Sequence, residues 1–192
     1  SISTKSTKCF ANQARSVPLQ NKTVIVLETE RLVLREIDSA TDAEFIFALL
    51  NTPKFLKYIG DRGVRSKTES SEFIETKYRK SYVDHGFGLY TVERRSDKVP
   101  VGICGLVKRA SLPGPDIGFA FLPEFERMGY GYESAAAIVD HAREVHGMSE
   151  LFAITTTDNV ASGLLLEKLG FVDAGTVPTD DNESLRVFRK DL

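Results

Sequence analysis

The sequence predicts an α/β (α+β) fold, a mixed central sheet of about seven strands flanked by about four helices. Three observations carry that prediction. Short segments that alternate polar and apolar residues, or run apolar between turn residues, recur along the chain, and longer segments place apolar residues at helical spacing. Between residues 88 and 122 the strand-like segments are joined by links too short for anything except antiparallel pairing. From 117 to 169 the order becomes strand, helix, strand, helix, which requires a crossover and makes the strands it joins parallel.

Arg31-Leu-Val-Leu-Arg-Glu-Ile37 alternates with a period near two and reads as a strand with one buried face. Asp38 to Asp42 supplies a turn and a cap for a helix over 42–51, whose Ala43, Phe45, Ile46, Leu49 and Leu50 form one apolar stripe. A loop through Pro53 and Gly60 follows, then a second amphipathic helix over 69–83 with Phe73, Ile74 and Tyr78 on its stripe. Strands are predicted at 88–93, 101–108 and 117–122, separated by turns at 95–98 and 112–116. A long helix over 130–146, a short strand at 151–155 and a helix over 159–169 closed by Gly170 come next. Phe171-Val172 and Leu185 to Arg189 complete the sheet, with Asp180 to Glu183 as the turn between them.

The 192 residues suit one domain, assigned to 25–192, behind a tail at 1–24 that carries Lys5, Lys8, Arg15 and Lys22 but no acid. With 42% hydrophobic and 27% charged residues the composition is that of a globular chain, and a net charge of −2 supplies no field for nucleic acid or an anionic membrane. No apolar run is long enough to span a bilayer. Cys9 and Cys104 are too few for a disulfide framework and point to a reducing, cytoplasmic setting, with Cys104 as a buried small hydrophobe. No metal is expected: His85, His141 and His146 form no ligand spacing, and the last two, five residues apart, do not share a helical face.

Glu126-Arg127-Met128-Gly129-Tyr130-Gly131 runs straight into the long helix. Unpaired backbone N–H groups at such a start are what a pyrophosphate requires, but a Gly-x-Gly by itself is weak evidence, and tight packing of helix on strand is its ordinary explanation. The three-glycine dinucleotide fingerprint and the Gly-Lys-Ser/Thr of a nucleotide-hydrolysing loop are both missing.

Glu30-Arg-Leu-Val-Leu-Arg35, Ile103-Cys-Gly-Leu-Val107, Ile117-Gly-Phe-Ala-Phe-Leu-Pro-Glu124, the glycine loop, and Asn159 through Ser162 to Leu165-Leu-Glu-Lys-Leu-Gly-Phe171 follow one another in order. In this order the chain resembles the GNAT N-acetyltransferase superfamily, most of all its ribosomal-protein alanine acetyltransferase-like (Rim-type) branch, over roughly residues 28–190. The resemblance implies a GNAT fold in which the strand at 117–122 splays from its neighbour at 151–155 and acetyl-CoA lies in the gap. Phe121 and Leu122 would border the pantetheine arm. Arg127, Met128, Gly129, Tyr130, Gly131 and Tyr132 would hold the pyrophosphate, with Asn159 and Ser162 beside the cofactor; Asn159 also reads as a plain helix cap.

The implied reaction moves an acetyl group directly from acetyl-CoA to a primary amine, on a protein N-terminus or a small molecule, with no covalent enzyme intermediate. The alternative is a CoA-binding module that has lost catalysis. Asn159, Asp116 and Glu124 are the catalytic candidates, with Asp158 beside them, and each carboxylate also reads as a turn or surface residue. Tyr58, Phe87, Tyr90 and Phe119 are candidates for the acceptor pocket, each with a core role as its other reading. Two departures from the family pattern stand out. Glu126 puts a carboxylate at the loop, expected to face solvent with Arg127 compensating, and the position of the family's acid tyrosine is Leu166. A homodimer through an exposed sheet edge is compatible with the sequence.

Overall fold

The computed structural model describes residues 23–179 and 183–192. Most of the basic tail with Cys9, and Asp180 to Asn182 of the last turn, lie outside the described residues. The sheet has eight strands: β1 (Ile25–Glu28), β2 (Leu32–Glu36), β3 (Leu89–Arg94), β4 (Pro100–Val107), β5 (Asp116–Phe121), β6 (Glu150–Thr156), β7 (Val172–Pro178) and β8 (Ser184–Asp191). Their spatial order is β1-β2-β3-β4-β5-β6-β8-β7. β1, the strand beyond the seven expected, is a short apolar run at the sheet's edge that pairs antiparallel with β2.

The helices are α1 (Ala43–Leu50), α2 (Pro53–Tyr58), α3 (Lys67–Phe73), α4 (Lys80–His85), α5 (Tyr130–Glu144) and α6 (Val160–Lys168). α2 occupies what the sequence suggested was loop. Its signal was Thr52-Pro53: the Thr52 side chain accepts from the Phe55 N–H, and proline suits a first helical position. The helix expected at 69–83 begins earlier, where Ser66 caps α3, and runs into α4 through a π-helical stretch, Ile74–Arg79. Ile74 and Tyr78 of that stretch are both buried.

Each face of the sheet has its own core. On one face Leu34, Val92, Cys104 and Ile117 meet Ala135 and Ile138 of α5; on the other Ile103 meets Ile46 and Leu49 of α1 and Ile74. Burying each large aliphatic side chain contributes about 1.5–3 kcal/mol. Arg35 of β2 is a charged residue buried beside these cores. Its guanidinium donates to both Asp42 oxygens at 2.7 and 2.8 Å and to Glu93 at 2.9 Å, tying the start of α1 to the central strands.

His141 and His146 do meet, with ring centroids 5.1 Å apart, because α5 ends at Glu144 and His146 lies in the turn that closes it rather than on the helix. Burial, and then the charge of its neighbour, lower the pKa of His141. A base held neutral by the fold costs stability once the unfolded chain protonates, so stability should fall as the pH drops below about 6.5 and towards the lower folded value. The thermal midpoint followed from pH 7.5 to 5 should decline less steeply in His141→Gln than in the unaltered chain; parallel declines would show that this pair does not govern the response.

Candidate active site

The connection β5-α5-β6 makes β5 and β6 parallel, yet they pair at one position only, Asp116 with Phe152. Beyond it they diverge towards their C-terminal ends. Leu122 spends its N–H on Val101 of the β4 side, so by alternation the backbone groups of Phe119 and Phe121 face the opening. Phe152 gives its N–H to Pro115, so Ile154 and Thr156 face the opening from β6. The two strand edges therefore offer unpaired donors and acceptors, a combination suited to the amides of an extended chain laid between them.

At the mouth of this gap stands the N-terminus of α5. Among the described residues, the backbone N–H groups from Arg127 to Tyr132 donate to no protein acceptor; the next one, of Glu133, returns to Gly129 O. The loop reaches this conformation through positive φ at Arg127 (60°) and Gly129 (83°). Gly129 is there for its backbone, since a left-handed residue other than glycine is strained. Gly131 is there for space, because a Cβ would lie 3.3 Å from Leu165 of α6 and 3.6 Å from Phe121. Gly129 thus owes its place to backbone conformation and Gly131 to close packing.

Residues not singled out from the sequence hold the loop. Arg31 donates from Nη1 to Met128 O at 2.9 Å and from Nε to Glu133 at 2.7 Å, with its guanidinium 4.8 Å from the Tyr130 ring centre. Glu133 also accepts from the Thr29 hydroxyl and the Arg31 N–H. Burial would raise the Glu133 carboxyl, but these donors and the Arg31 charge hold it below its ordinary range. Arg31 lies within the motif Glu30-Arg-Leu-Val-Leu-Arg35 and Glu133 is an acid in a first helical turn, so both were visible, though nothing in the sequence joined them.

Asn159 caps α6, its side-chain oxygen accepting from the Ser162 N–H at 3.3 Å. Asn159 and Ser162 thus stand at a second helix N-terminus that opens at the splayed end, and the two helix dipoles converge there. Glu124 sits exposed in the 3-10 turn Pro123–Phe125 between β5 and the loop. Phe119 and Phe121 pack towards the α5 side of β5, Leu122 towards the α1 side. Tyr132 is exposed, with the Lys168 ammonium 4.5 Å from its ring centre.

Other candidates stand elsewhere. Asp116 is at the closed end of the gap, about 17 Å along the strand from Phe121, 1% exposed and bound to Arg109 at 3.0 Å. Phe87 stacks on His85 and meets His146 beyond the C-terminus of α5, about 22 Å of helix from the loop. Tyr90 is 3% exposed and stacked on Tyr82. Their aromatic character serves the core. Leu166 is likewise buried in the core on the α5 side. Cys104 is fully buried, its thiol pushed up to about 12 by desolvation, and offers no thiolate nucleophile.

Glu126 is paired, though not by Arg127. Its carboxylate accepts from Lys54 of α2, while Arg127 is exposed and without a side-chain partner among the described residues. Three residues further along α2, Lys57 lies 3.2 Å from Asp158 at the end of β6. Asp158 is held below the ordinary carboxylate range by the Thr156 hydroxyl and by Lys57, which makes it a poor proton acceptor.

Splayed parallel strands with open edges, and a helix N-terminus of free N–H groups at their mouth, suit an extended ligand that carries an anionic group. The chain belongs to the GNAT acetyltransferase family: the family model described as "Acetyltransferase (GNAT) domain" matches residues 31–172. It is 32% identical over 153 residues to the uncharacterized N-acetyltransferase YoaA of Bacillus subtilis, covering 79% of this chain and 85% of that protein. Among solved structures, an acetyltransferase from Agrobacterium tumefaciens superposes with a TM-score of 0.73 at 22% identity, over 98% of this chain and 100% of that one. A spermidine N-acetyltransferase from Vibrio cholerae, in complex with CoA and spermine, gives 0.69 at 18% identity, over 85% and 96%. The protein is an acetyl-CoA-dependent N-acetyltransferase. Among the described residues no helix is long and apolar enough to cross a membrane.

Proposed function

We propose that acetyl-CoA binds with its pyrophosphate on the N–H groups of 127–132 and its pantetheine arm between β5 and β6, and that the acetyl group passes directly to a primary amine. The observation that carries this reading is the run of unpaired N–H groups leading into the open strand edges. Arg127 adds a free guanidinium beside the phosphates. The thioester carbonyl then lies among the gap-facing N–H groups of Phe119 and Phe121, which are placed to stabilise the oxyanion formed by amine attack.

As the tetrahedral intermediate collapses, the carbon–sulfur bond breaks and CoA leaves as a thiolate. The amine proton passes to water, with Glu124 as the carboxylate left to receive it once Asp116 and Asp158 are set aside. The Asn159 amide nitrogen, the Ser162 hydroxyl and the α6 N-terminus stabilise the thiolate where no tyrosine is present. The acceptor is a protein N-terminal amine or a small amine of low positive charge, as in the Rim-type branch. A polycation such as spermidine fits less well, because lysines already neutralise Glu126 and Asp158 at the mouth.

Calorimetric titration with acetyl-CoA and CoA tests the reading. The unaltered chain should bind both, and Gly131→Val, which fills the space between α5, Leu165 and Phe121, should lose at least tenfold in affinity, about 1.4 kcal/mol. No binding by the unaltered chain, or full binding by a folded Gly131→Val, would remove the cofactor from this gap. An acceptor screen for free thiol release, using N-terminal peptides beside small amines and polyamines, then assigns the amine class.

A further inference from the structure

Helix α2 is six residues long, yet it reaches both borders of the opening. Buried Phe55 pins it to the core on the α1 side, and from there Lys54 extends to Glu126 and Lys57 to Asp158. These are the residues that follow the diverging strands, one on the β5 side and one on the β6 side. The lysine side chains are 60% and 59% exposed, and ion pairs so open to water are weak and exchange partners readily.

The Lys54 pair has a particular place. Glu126 immediately precedes the first of the unpaired N–H groups, so the Lys54 ammonium stands at the rim of the anion cradle before any anion arrives. A lone carboxylate there would repel a pyrophosphate; a carboxylate carrying a lysine does not. An ammonium has three donors, so it can keep one on Glu126 and turn another to a phosphate oxygen.

We propose that Lys54 is a phosphate-binding residue contributed by α2, stored on Glu126 and turned to the pyrophosphate when acetyl-CoA enters. The proposal rests on the reading that 127–132 hold that pyrophosphate. It gives a purpose to a carboxylate that otherwise opposes the ligand: Glu126 orients a cation that belongs to a separate helix. It also couples the two sides of the site. Once Lys54 bridges to the cofactor, α2 is tied to the cradle, and Lys57 with Asp158 is fixed as a wall on the other border before the acceptor arrives.

The experiment compares acetyl-CoA with acetyl-pantetheine, which has the same thioester arm and no pyrophosphate, by titration of the full chain. Lys54→Met should weaken acetyl-CoA by roughly 5- to 20-fold, the range of one charge-assisted hydrogen bond at a part-exposed site, and leave acetyl-pantetheine unchanged. Glu126→Gln should tighten acetyl-CoA by about two- to fivefold, since it removes the negative charge that competes with the phosphates for the lysine while its amide oxygen still accepts from Lys54. Lys57→Met should leave acetyl-CoA affinity within about twofold and act on the acceptor KM. If Lys54→Met weakens both ligands alike or neither, or if Glu126→Gln weakens acetyl-CoA, the pair only holds α2 in place and the proposal falls. Failure of the unaltered chain to bind acetyl-CoA overturns this proposal together with the reading beneath it, whereas normal binding that ignores Lys54 overturns this one alone.

Discussion

Replacing Asp42 with alanine is expected to destabilise the protein by about 3–5 kcal/mol, the range seen when one partner of a buried ion pair is removed. Asp42 is 2% exposed and accepts from both Nη atoms of Arg35, from the Asp38 N–H at 2.9 Å and from the Thr91 hydroxyl at 3.2 Å. The alanine variant leaves those donors in a space water does not reach, with Glu93 as the one carboxylate still facing Arg35. Arg35 cannot escape by losing its proton, because a guanidinium stays charged at any working pH. The same loss should therefore not occur when charge and countercharge leave together, and the double variant Arg35→Met, Asp42→Leu is expected to recover much of it. Urea unfolding checks this through the midpoint at constant m-value. A single variant within about 1 kcal/mol of the unaltered chain would show that the pair does not carry the junction of α1 with the sheet.

Much of this architecture was legible because it follows from period and length. Alternation along Arg31 to Ile37, the turns around Arg95 and Pro113, and the apolar stripes of α1 and α5 are local signals, and the structure has those elements within a residue or two. The order strand, helix, strand, helix gave the parallel pairing of β5 with β6 by chirality and chain length alone. What stayed hidden depends on contacts between distant segments. β1 is too short to declare itself and exists because β2 offers it an edge. The three histidines looked unrelated until the turn that closes α5 set His146 beside His141 and Phe87 joined His85 to them.

The site divides the same way. Backbone features, the positive φ in the glycine loop and the cap at Asn159, were readable, since they depend on local conformation that glycine and asparagine announce. Side-chain functions were not. Phe87 and Tyr90 are aromatic residues near a strand, and nothing local distinguishes one that lines a pocket from one that fills a core. Asp116 was placed beside the gap by its strand, while the end of the strand it occupies was decided by the single register pair with Phe152. Lys54 and Lys57 were invisible because their helix was read as loop.

Arg31→Ala should weaken acetyl-CoA binding by roughly 5- to 30-fold with little change in unfolding temperature. The guanidinium does two things at once. Its Nη1 holds the Met128 carbonyl, and a peptide whose oxygen is anchored must point the N–H of the next residue, Gly129, away from that anchor and towards the cradle. Its Nε clamps Glu133, which keeps the first turn of α5 against the turn between β1 and β2. A charge-assisted bond is worth about 1.5–3 kcal/mol, but the Arg31 side chain is 45% exposed and water would replace part of the loss, which brings the estimate to about 1–2 kcal/mol. Glu133 keeps the Thr29 hydroxyl at 2.6 Å, so the fold is not left with a bare buried charge and stability is largely spared. Arg31→Lys should rescue little, because one ammonium cannot span the carbonyl and the carboxylate that the planar fork joins. Titration of both variants separates loop positioning from general destabilisation: an affinity loss shared by alanine and lysine at near-constant unfolding temperature supports the anchor. Full affinity in Arg31→Ala would mean that the left-handed turns at Arg127 and Gly129 hold the cradle unaided.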